Sequence, residues 1–378
     1  MKLLLIPDKF KGSLTAAQVR SAITEGVRQV FPTAGIASFE ASDGGDGFLD
    51  VVRSVRKIET HTVSVEDPLG RKIPAPFLFD PVRGEAFVEM ATASGLLRLA
   101  ESEQSPLRTH TRGTGQLIRA AIRLGARKVF VGLGGSATND GGCGIATVFG
   151  YRFLDKNDQE LEPIGQNLGA ITRILPPKDP NLYNKVEIIA VNDVSNPLWG
   201  PSGAAFVYAA QKGAFGAEIS MLDSGLRQLD ALVSEQFGME AGGLQGAGAA
   251  GGAAFGLYAF LGACFVKGSE YILDIIGIGE YLEEHTVDFI VTGEGKIDAQ
   301  TLSGKLIRGV TALAGHFGVP VLAICGACEV PAETLREAGI EEVLVVADPS
   351  RSLSDNMSHA AENIREAISR YFLKLKDS

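Results

Sequence analysis

The chain is 378 residues long, yet it has only four cysteines and five histidines. So few thiols argue against a disulfide framework and for a reducing compartment. His61, His110, His285, His316 and His359 are scattered and form no metal-ligand spacing. Cys325 and Cys328 make a C-x-x-C spacing between an expected strand and helix. No second pair or nearby histidine accompanies them, so they read as structural thiols rather than a redox or zinc site. Basic residues are also in deficit. Lys plus Arg number 35 against 45 Asp plus Glu, the net charge is −10 and the pI about 5.2, a field that repels nucleic acid and anionic membranes. The apolar run at residues 1–8 is too short for a signal peptide. Residues 246–266 lack charge and are long enough to span a bilayer, but they are mostly glycine and alanine and have no flanking Lys/Arg cluster. They read as a loop entering a helix. A cytoplasmic protein without membrane or nucleic-acid partners is expected.

Against these shortages stand 46 glycines and a hydrophobic fraction of 45%. The length and apolar content allow a large core and suggest two domains. The glycines follow no repeat, so many are expected in turns and ligand loops. The first sixty residues read β-α-β. A wholly apolar strand covers 3–6 and a second strand 36–41. Between them a helix over 15–30 carries the stripe Val19, Ile23, Val27 and Val30, with Thr15 and Gln18 spaced as a capping box. The last ninety residues repeat the alternation. Strands are expected over 289–292, 321–325 and 343–347, and helices over 302–316 and 332–338. A long terminal helix carries Met357, Ala361, Ile364, Ile368 and Phe372 on one stripe. Five such strands make a doubly wound sheet of order 2-1-3-4-5, split between the chain ends. The expected division is 1–60 and 285–378 for that domain, with 61–284 as an inserted α/β domain. The insert has strands over 86–89, 129–133 and 187–191 and a helix over 116–124, and its hairpin-like pieces suggest a mixed sheet.

The loops at the strand ends carry the chemistry. After the strand at 129–133 come Gly134, Gly135, Ser136, Ala137, Thr138, Asn139, Asp140, Gly141 and Gly142. Glycine bares backbone N–H groups that can converge on phosphate oxygens, and Ser136 and Thr138 add hydroxyls. Gly132, Gly134 and Ala137 also fit a dinucleotide fingerprint, with Asp155 further on, but residues 138–142 intervene where a helix should open. No Walker A sequence exists, because residues 303–306 lack its first glycine and its hydroxyl, and protein-kinase signatures are absent. Asp43 and Asp46, on a glycine-rich turn after the second strand, could share Mg²⁺ or merely cap the turn. Lys9 and Lys11 follow the first strand and could neutralise a carboxylate or phosphate. Glu294, Lys296 and Asp298 leave the third strand, and Thr301, Ser303 and Lys305 open the next helix. Asp193 follows the strand at 187–191 as a candidate base, and Arg112 opens the helix at 116 as a second carboxylate seat. The glycines of 246–252 suit either close approach of backbone to a nucleotide or tight packing.

These loops resemble the type I glycerate kinase family (glycerate 2-kinase). The resemblance rests on Pro7 to Leu14, on Asp43-Gly44-Gly45-Asp46-Gly47 and on Gly134 to Gly142. It extends to Thr292-Gly293-Glu294-Gly295 with Asp298, Gln300 and Thr301, and then to Gly304-Lys305. The pieces occur in order from residue 1 to about 370. The resemblance implies ATP-dependent phosphorylation of glycerate, Mg²⁺ dependence, and a flavodoxin-like domain carrying an inserted α/β domain. The Cys325/Cys328 pair is outside the family pattern. By chemical inference, Gly134, Gly135, Ser136, Thr138 and Lys305 are expected on the ATP phosphates. Asp43, Asp46, Glu294 and Asp298 form the pool of Mg²⁺ ligands, and Lys9 and Lys11 meet the glycerate carboxylate or the moving phosphoryl group. Asp193, or failing that Asp140, takes the hydroxyl proton. The product is expected to be 2-phosphoglycerate, and a homo-oligomer is compatible with the sequence. The rival readings are an NAD-dependent dehydrogenase using residues 132–137 and a non-catalytic sensor of a phosphorylated metabolite.

Overall fold

The computed structural model describes residues 1–41, 45, 47–179, 185–298, 301 and 306–377. They form two compact units, one of residues 1–43 and 269–378, the other of residues 44–268.

In the first unit, β1 (Lys2–Pro7) leads through α1 (Ala16–Val30) to β2 (Gly35–Ser38). Residues 3–6 of β1 are buried throughout, as a parallel strand covered on both faces requires. At the start of α1 the Gln18 N–H donates to Thr15 Oγ1 and the Thr15 N–H to Gln18 Oε1, the reciprocal cap expected from the spacing.

The second unit opens with α2 (Phe48–Val55), β3 (Glu59–Glu66), β4 (Lys72–Asp80), β5 (Glu85–Glu89), α3 (Ala91–Ser94), α4 (Arg112–Arg123) and β6 (Lys128–Gly132). It continues with α5 (Cys143–Val148), the hairpin β7 (Arg152–Leu154) and β8 (Arg173–Leu175), β9 (Glu187–Val191), α6 (Ala204–Tyr208), α7 (Ala217–Phe237), α8 (Ala249–Leu261) and β10 (Cys264–Val266). Its main sheet has the order β10-β9-β6-β5-β4-β3. The pairs among β5, β6, β9 and β10 are parallel, whereas β3 and β4 run antiparallel, so the sheet is mixed. Leu117, Ile118 and Ala121 of α4 and Ala253 and Leu257 of α8 pack with Val88, Val131 and Ala190 of the sheet.

The chain then returns to the first unit through α9 (Gly268–Ile275), α10 (Ile278–Glu284), β11 (Phe289–Ile297), α11 (Leu306–Phe317) and β12 (Val321–Cys328). It ends with α12 (Ala332–Glu337), β13 (Glu342–Val345), α13 (Leu353–Ser358) and α14 (Ala360–Asp377). The sheet order β2-β1-β11-β12-β13 is parallel throughout. Counted along this unit it is 2-1-3-4-5, the flavodoxin-like doubly wound order. Alternation along β12 accounts for both covered faces. Leu322 and Ile324 join α1 and α14 on one side, and Ala323 and Cys325 join Ile307 and Leu335 on the other.

Three features depart from expectation. First, β11 and β12 run several residues beyond their apolar stretches, because they continue to pair with each other as far as Ile297 and Cys328. A ladder needs backbone partners and not apolar side chains. Cys325 and Cys328 therefore lie inside a strand, both as free thiols, and burial pushes Cys325 up to about 12. Second, the terminal helix is two helices, broken at His359. Third, the charge-free segment splits into α8 and β10. Ala250, Gly251 and Gly252 at its start are left-handed, with φ of 54°, 68° and 84°. Among the described residues no helix is long and apolar enough to cross a membrane.

Phe372 of α14 is fully buried, with its ring 6.4 Å from that of Phe31 and 6.1 Å from that of Phe289. Truncating a buried aromatic removes transfer energy and leaves a cavity, so Phe372→Ala should destabilise the first unit by about 3–5 kcal/mol. Urea unfolding followed by circular dichroism checks this, and a loss below about 1 kcal/mol would contradict the packing.

Candidate active site

Register brings the carboxyl ends of three strands of the second unit level, with Glu89 beside Gly132 and Gly132 beside Val191. Ligands of parallel sheets bind outside such ends. The Leu133 N–H still donates to the Val191 carbonyl at 2.9 Å. Gly134 onward and Asn192-Asp193 therefore leave the sheet side by side. Asp193 is half-buried.

The loop after β6 is held on its flanks and open at its turn. The Gly135 carbonyl accepts from the Leu96 N–H at 2.8 Å, and the Ala137 N–H donates to the Ser94 carbonyl at 2.9 Å. Gly135 has φ +61°, a conformation that side-chain-bearing residues rarely adopt. Among the described residues the N–H groups of Gly134, Gly135 and Ser136 have no partner, and Gly135 is exposed. Three unspent donors at a strand end suit an anion.

Behind the turn, Asp140 is fully buried. Its Oδ2 accepts from the Thr111 N–H and Oγ1, each at 2.8 Å, and from the Gly144 N–H at 3.0 Å, while Oδ1 accepts from the Gly142 N–H at 3.1 Å. These donors belong to the starts of α4 and α5, where a carboxylate is favoured. Burial pushes the carboxyl pKa up, and the hydrogen bonds from Thr111 and Gly144 oppose that shift. Of the glycines of 246–252, Gly251 and Gly252 pack against this loop, as does Gly256 further along α8. A Cβ at Gly251 would strike the Thr138 carbonyl, and one at Gly256 would lie 2.6 Å from Gly142 Cα. Thr138 Oγ1 and both amide atoms of Asn139 are buried without a hydrogen-bond partner among the described residues. Such groups typically cost about 1–3 kcal/mol each.

Sequence reasoning passed over Lys212, which is 4% exposed. Its Nζ donates to Ser136 Oγ at 2.8 Å and to the Thr138 carbonyl at 2.7 Å, and burial pulls its pKa down to about 7. Lysine is rarely interior, so its burial had no signal beyond the apolar stretch preceding it. Thr111, the bridge between Asp140 and α5, was also passed over.

The dinucleotide fingerprint fails on geometry. The next helix opens at Cys143 rather than at Ala137, and the following strand, β7, pairs antiparallel with β8 in a separate small sheet. Asp155 caps an exposed turn, accepting the Asn157 and Gln159 N–H groups. Arg112 opens α4 and is paired with Glu162 at 2.6 Å.

In the first unit, β1 and β11 pair as far as Pro7 and Gly293, and the Asp8 N–H donates to the Gly293 carbonyl at 2.8 Å. Lys9 thus follows the end of β1 beside Glu294, which is still within β11, and both are half-buried. The segment carrying exposed Lys11 passes over Gly295, where a Cβ would lie 3.4 Å from the Lys11 nitrogen. Asp298 and Thr301 cap each other, the Asp298 N–H donating to Thr301 Oγ1 at 3.0 Å and the Thr301 N–H to Asp298 Oδ1 at 3.3 Å. Ser13 donates to the Met357 carbonyl at 2.7 Å, and α1 begins only after Thr15. Asp43, Asp46 and Lys305 lie outside the described residues.

Comparison with known proteins adds to this geometry. The model of the glycerate kinase family matches residues 3–376. A glycerate kinase from Halalkalibacterium halodurans is 38% identical over 97% of this chain and 96% of its own. A glycerate 2-kinase from Escherichia coli K12 is 35% identical over 97% and 96%. The crystal structure of a Salmonella typhimurium protein assigned as glycerate kinase 2 aligns with a TM-score of 0.78 at 34% identity, covering 100% of this chain and 98% of that one.

His110 supplies a pH test of this region. It is 4% exposed, and burial, followed by the charge of Arg112, lowers its pKa below the ordinary 6.5. The folded state keeps it neutral while the unfolded chain takes up a proton below about 6.5. Its stabilising contribution is therefore complete above that pH and is lost as the pH falls toward the folded pKa. Urea midpoints should decline from pH 7 to pH 5, and His110→Gln should flatten part of that decline. An identical slope in the variant would contradict the burial of a neutral ring.

Proposed function

The chain belongs to the glycerate kinase family and is a phosphotransferase, and from that premise we propose that it transfers the γ-phosphoryl group of ATP to a hydroxyl of glycerate, with Mg²⁺, giving 2-phosphoglycerate. The observation that carries the nucleotide assignment is the set of unspent N–H groups of Gly134, Gly135 and Ser136 at the carboxyl end of β6.

In this reaction the glycerate oxygen bonds to the γ-phosphorus, the bond to the β-bridging oxygen breaks, and ADP leaves. Charge accumulates on phosphoryl oxygens with little covalent work for the protein, so fixed donors are what a catalyst of this kind needs. The turn from Gly134 to Thr138 binds the ATP phosphates in our reading. The hydroxyl proton passes to Asp193, whose strand end adjoins the loop. Asp140, with donors on both carboxylate oxygens, we assign to holding the loop instead. Lys9 and Lys11 receive the glycerate carboxylate.

Among the described residues no three His, Cys, Asp or Glu side chains converge to cage a metal. Mg²⁺ ordinarily takes one or two carboxylates beside phosphate oxygens and water, a demand that oxygen donors such as Glu294 and Asp298, together with Asp43 and Asp46, are chemically fit to meet. When bound, the ion neutralises phosphate charge. Because ATP is the donor, we place the reaction in the cytoplasm.

Protein mixed with Mg-ATP and D-glycerate should yield 2-phosphoglycerate and ADP by ³¹P NMR, with turnover abolished by EDTA and restored by Mg²⁺. A 3-phosphoglycerate product would overturn the regiochemistry, turnover in chelator the metal assignment, and binding without turnover would reduce the protein to a sensor.

Asp193→Asn should lower kcat by about 10²–10⁴-fold, the usual contribution of a general base, with the Kd for ATP little changed. Steady-state kinetics with calorimetry decides. A kcat within about threefold of wild type, well short of that range, would remove Asp193 from the role.

A further inference from the structure

Lys212 stands directly behind the turn of the β6–α5 loop. Its own backbone is pinned by the Lys212 N–H to the Ala209 carbonyl at 3.1 Å and by Gly213, which has φ +98° and whose Cβ position is filled by the Gln104 carbonyl. The side chain has no room to swing to solvent, being 4% exposed. Its two contacts, Ser136 Oγ and the Thr138 carbonyl, match the two N–H donors of a neutral amine, whereas an ammonium has three. Asp140 is the charged group acting on Lys212, and its oxygens already serve four donors. His110, the titratable neighbour of Asp140, is held below 6.5 by burial and is neutral at pH 8. A desolvated amine thus lies under a turn whose three N–H groups await an anion.

We propose that Lys212 is the positioning residue of the phosphate loop, taking up one proton from solvent when the phosphates of ATP settle on Gly134, Gly135 and Ser136. The ammonium then fixes Ser136 and Thr138 and supplies the cationic charge that the loop otherwise lacks. The proton returns to solvent when the nucleotide leaves. This inference rests on the reading of the loop as the nucleotide-phosphate site.

The two anions acting on the amine differ in timing. Asp140 is permanent and already neutralised by helix N-termini, whereas ATP arrives and departs, so only ATP can couple protonation to occupancy. With its pKa pulled down to about 7 by burial, the amine is mainly neutral at pH 8, where nucleotide phosphates are ionised. Lys212 should therefore show its proton uptake most fully there.

The test is titration calorimetry of the full chain with Mg-ATP, without glycerate, at pH 8 in two buffers of different ionisation enthalpy. Wild type should take up close to one proton per ATP bound. Folded Lys212→Met, its fold checked by circular dichroism, should take up none and bind about 10- to 100-fold more weakly, the usual effect of losing a charge-assisted hydrogen bond. Proton-neutral binding by wild type overturns the proposal whether or not the variant folds, as does undiminished uptake by the variant. Gly135→Val separates this from its premise. If that variant loses Mg-ATP binding while wild-type binding is proton-neutral, Lys212 alone is refuted. If it binds Mg-ATP as wild type does, the loop reading itself fails.

Discussion

One carboxylate organises the middle of the second unit. Asp140 receives the N–H and the hydroxyl of Thr111, the residue that precedes α4, and the N–H groups of Gly142 and Gly144 where α5 begins. Thr111 extends the link by accepting the Ile145 N–H at 3.0 Å. Helix starts leave N–H groups without intrahelical partners, and here a single buried anion ties the residue before α4 to the start of α5. Because the loop after β6 must deliver Asp140 to that point, its preceding residues are forced into a tight arc over the strand end. Gly144 belongs to the same constraint, since a Cβ there would lie 2.6 Å from the Thr111 nitrogen and 2.9 Å from the Asp140 carboxylate.

What this anchor leaves over is the outer face of the turn, which we read as the functional surface. Close packing of the chain at Gly251, Gly252 and Gly256 against residues 138–142 fills the space behind the arc with backbone. Side-chain groups trapped in that wall, Thr138 Oγ1 and the Asn139 amide, go without hydrogen bonds. A chain under selection for stability alone would hardly retain them beside a buried lysine. Part of the cost among the described residues thus falls at a loop whose outer N–H groups are unspent, which is the pattern expected where stability is exchanged for binding.

Much of this was legible in the amino-acid order, and the failures have physical causes. The doubly wound order followed from the apolar strands and the alternating helices, and the Thr15–Gln18 cap from spacing alone. The Gly134–Asp140 run was visible because glycine and hydroxyl chemistry is local. By contrast, β11 reaches Ile297 through pairing with β12, a tertiary circumstance that no apolar pattern records. The terminal stripe ran through His359 without interruption, yet the helix breaks there, since a stripe reports which face is buried and not whether the axis is continuous. Lys212 was illegible for the same kind of reason. Its role depends on Ser136, 76 residues away, and lysine carries an exposed prior.

The central claim is that the β6–α5 turn is a nucleotide-phosphate site. A crystal structure of the protein with a non-hydrolysable Mg-ATP analogue measures this most directly. The account predicts phosphate oxygens at about 2.7–3.2 Å from the backbone nitrogens of Gly134, Gly135 and Ser136. A nucleotide bound elsewhere, with those three N–H groups left to water, would contradict it.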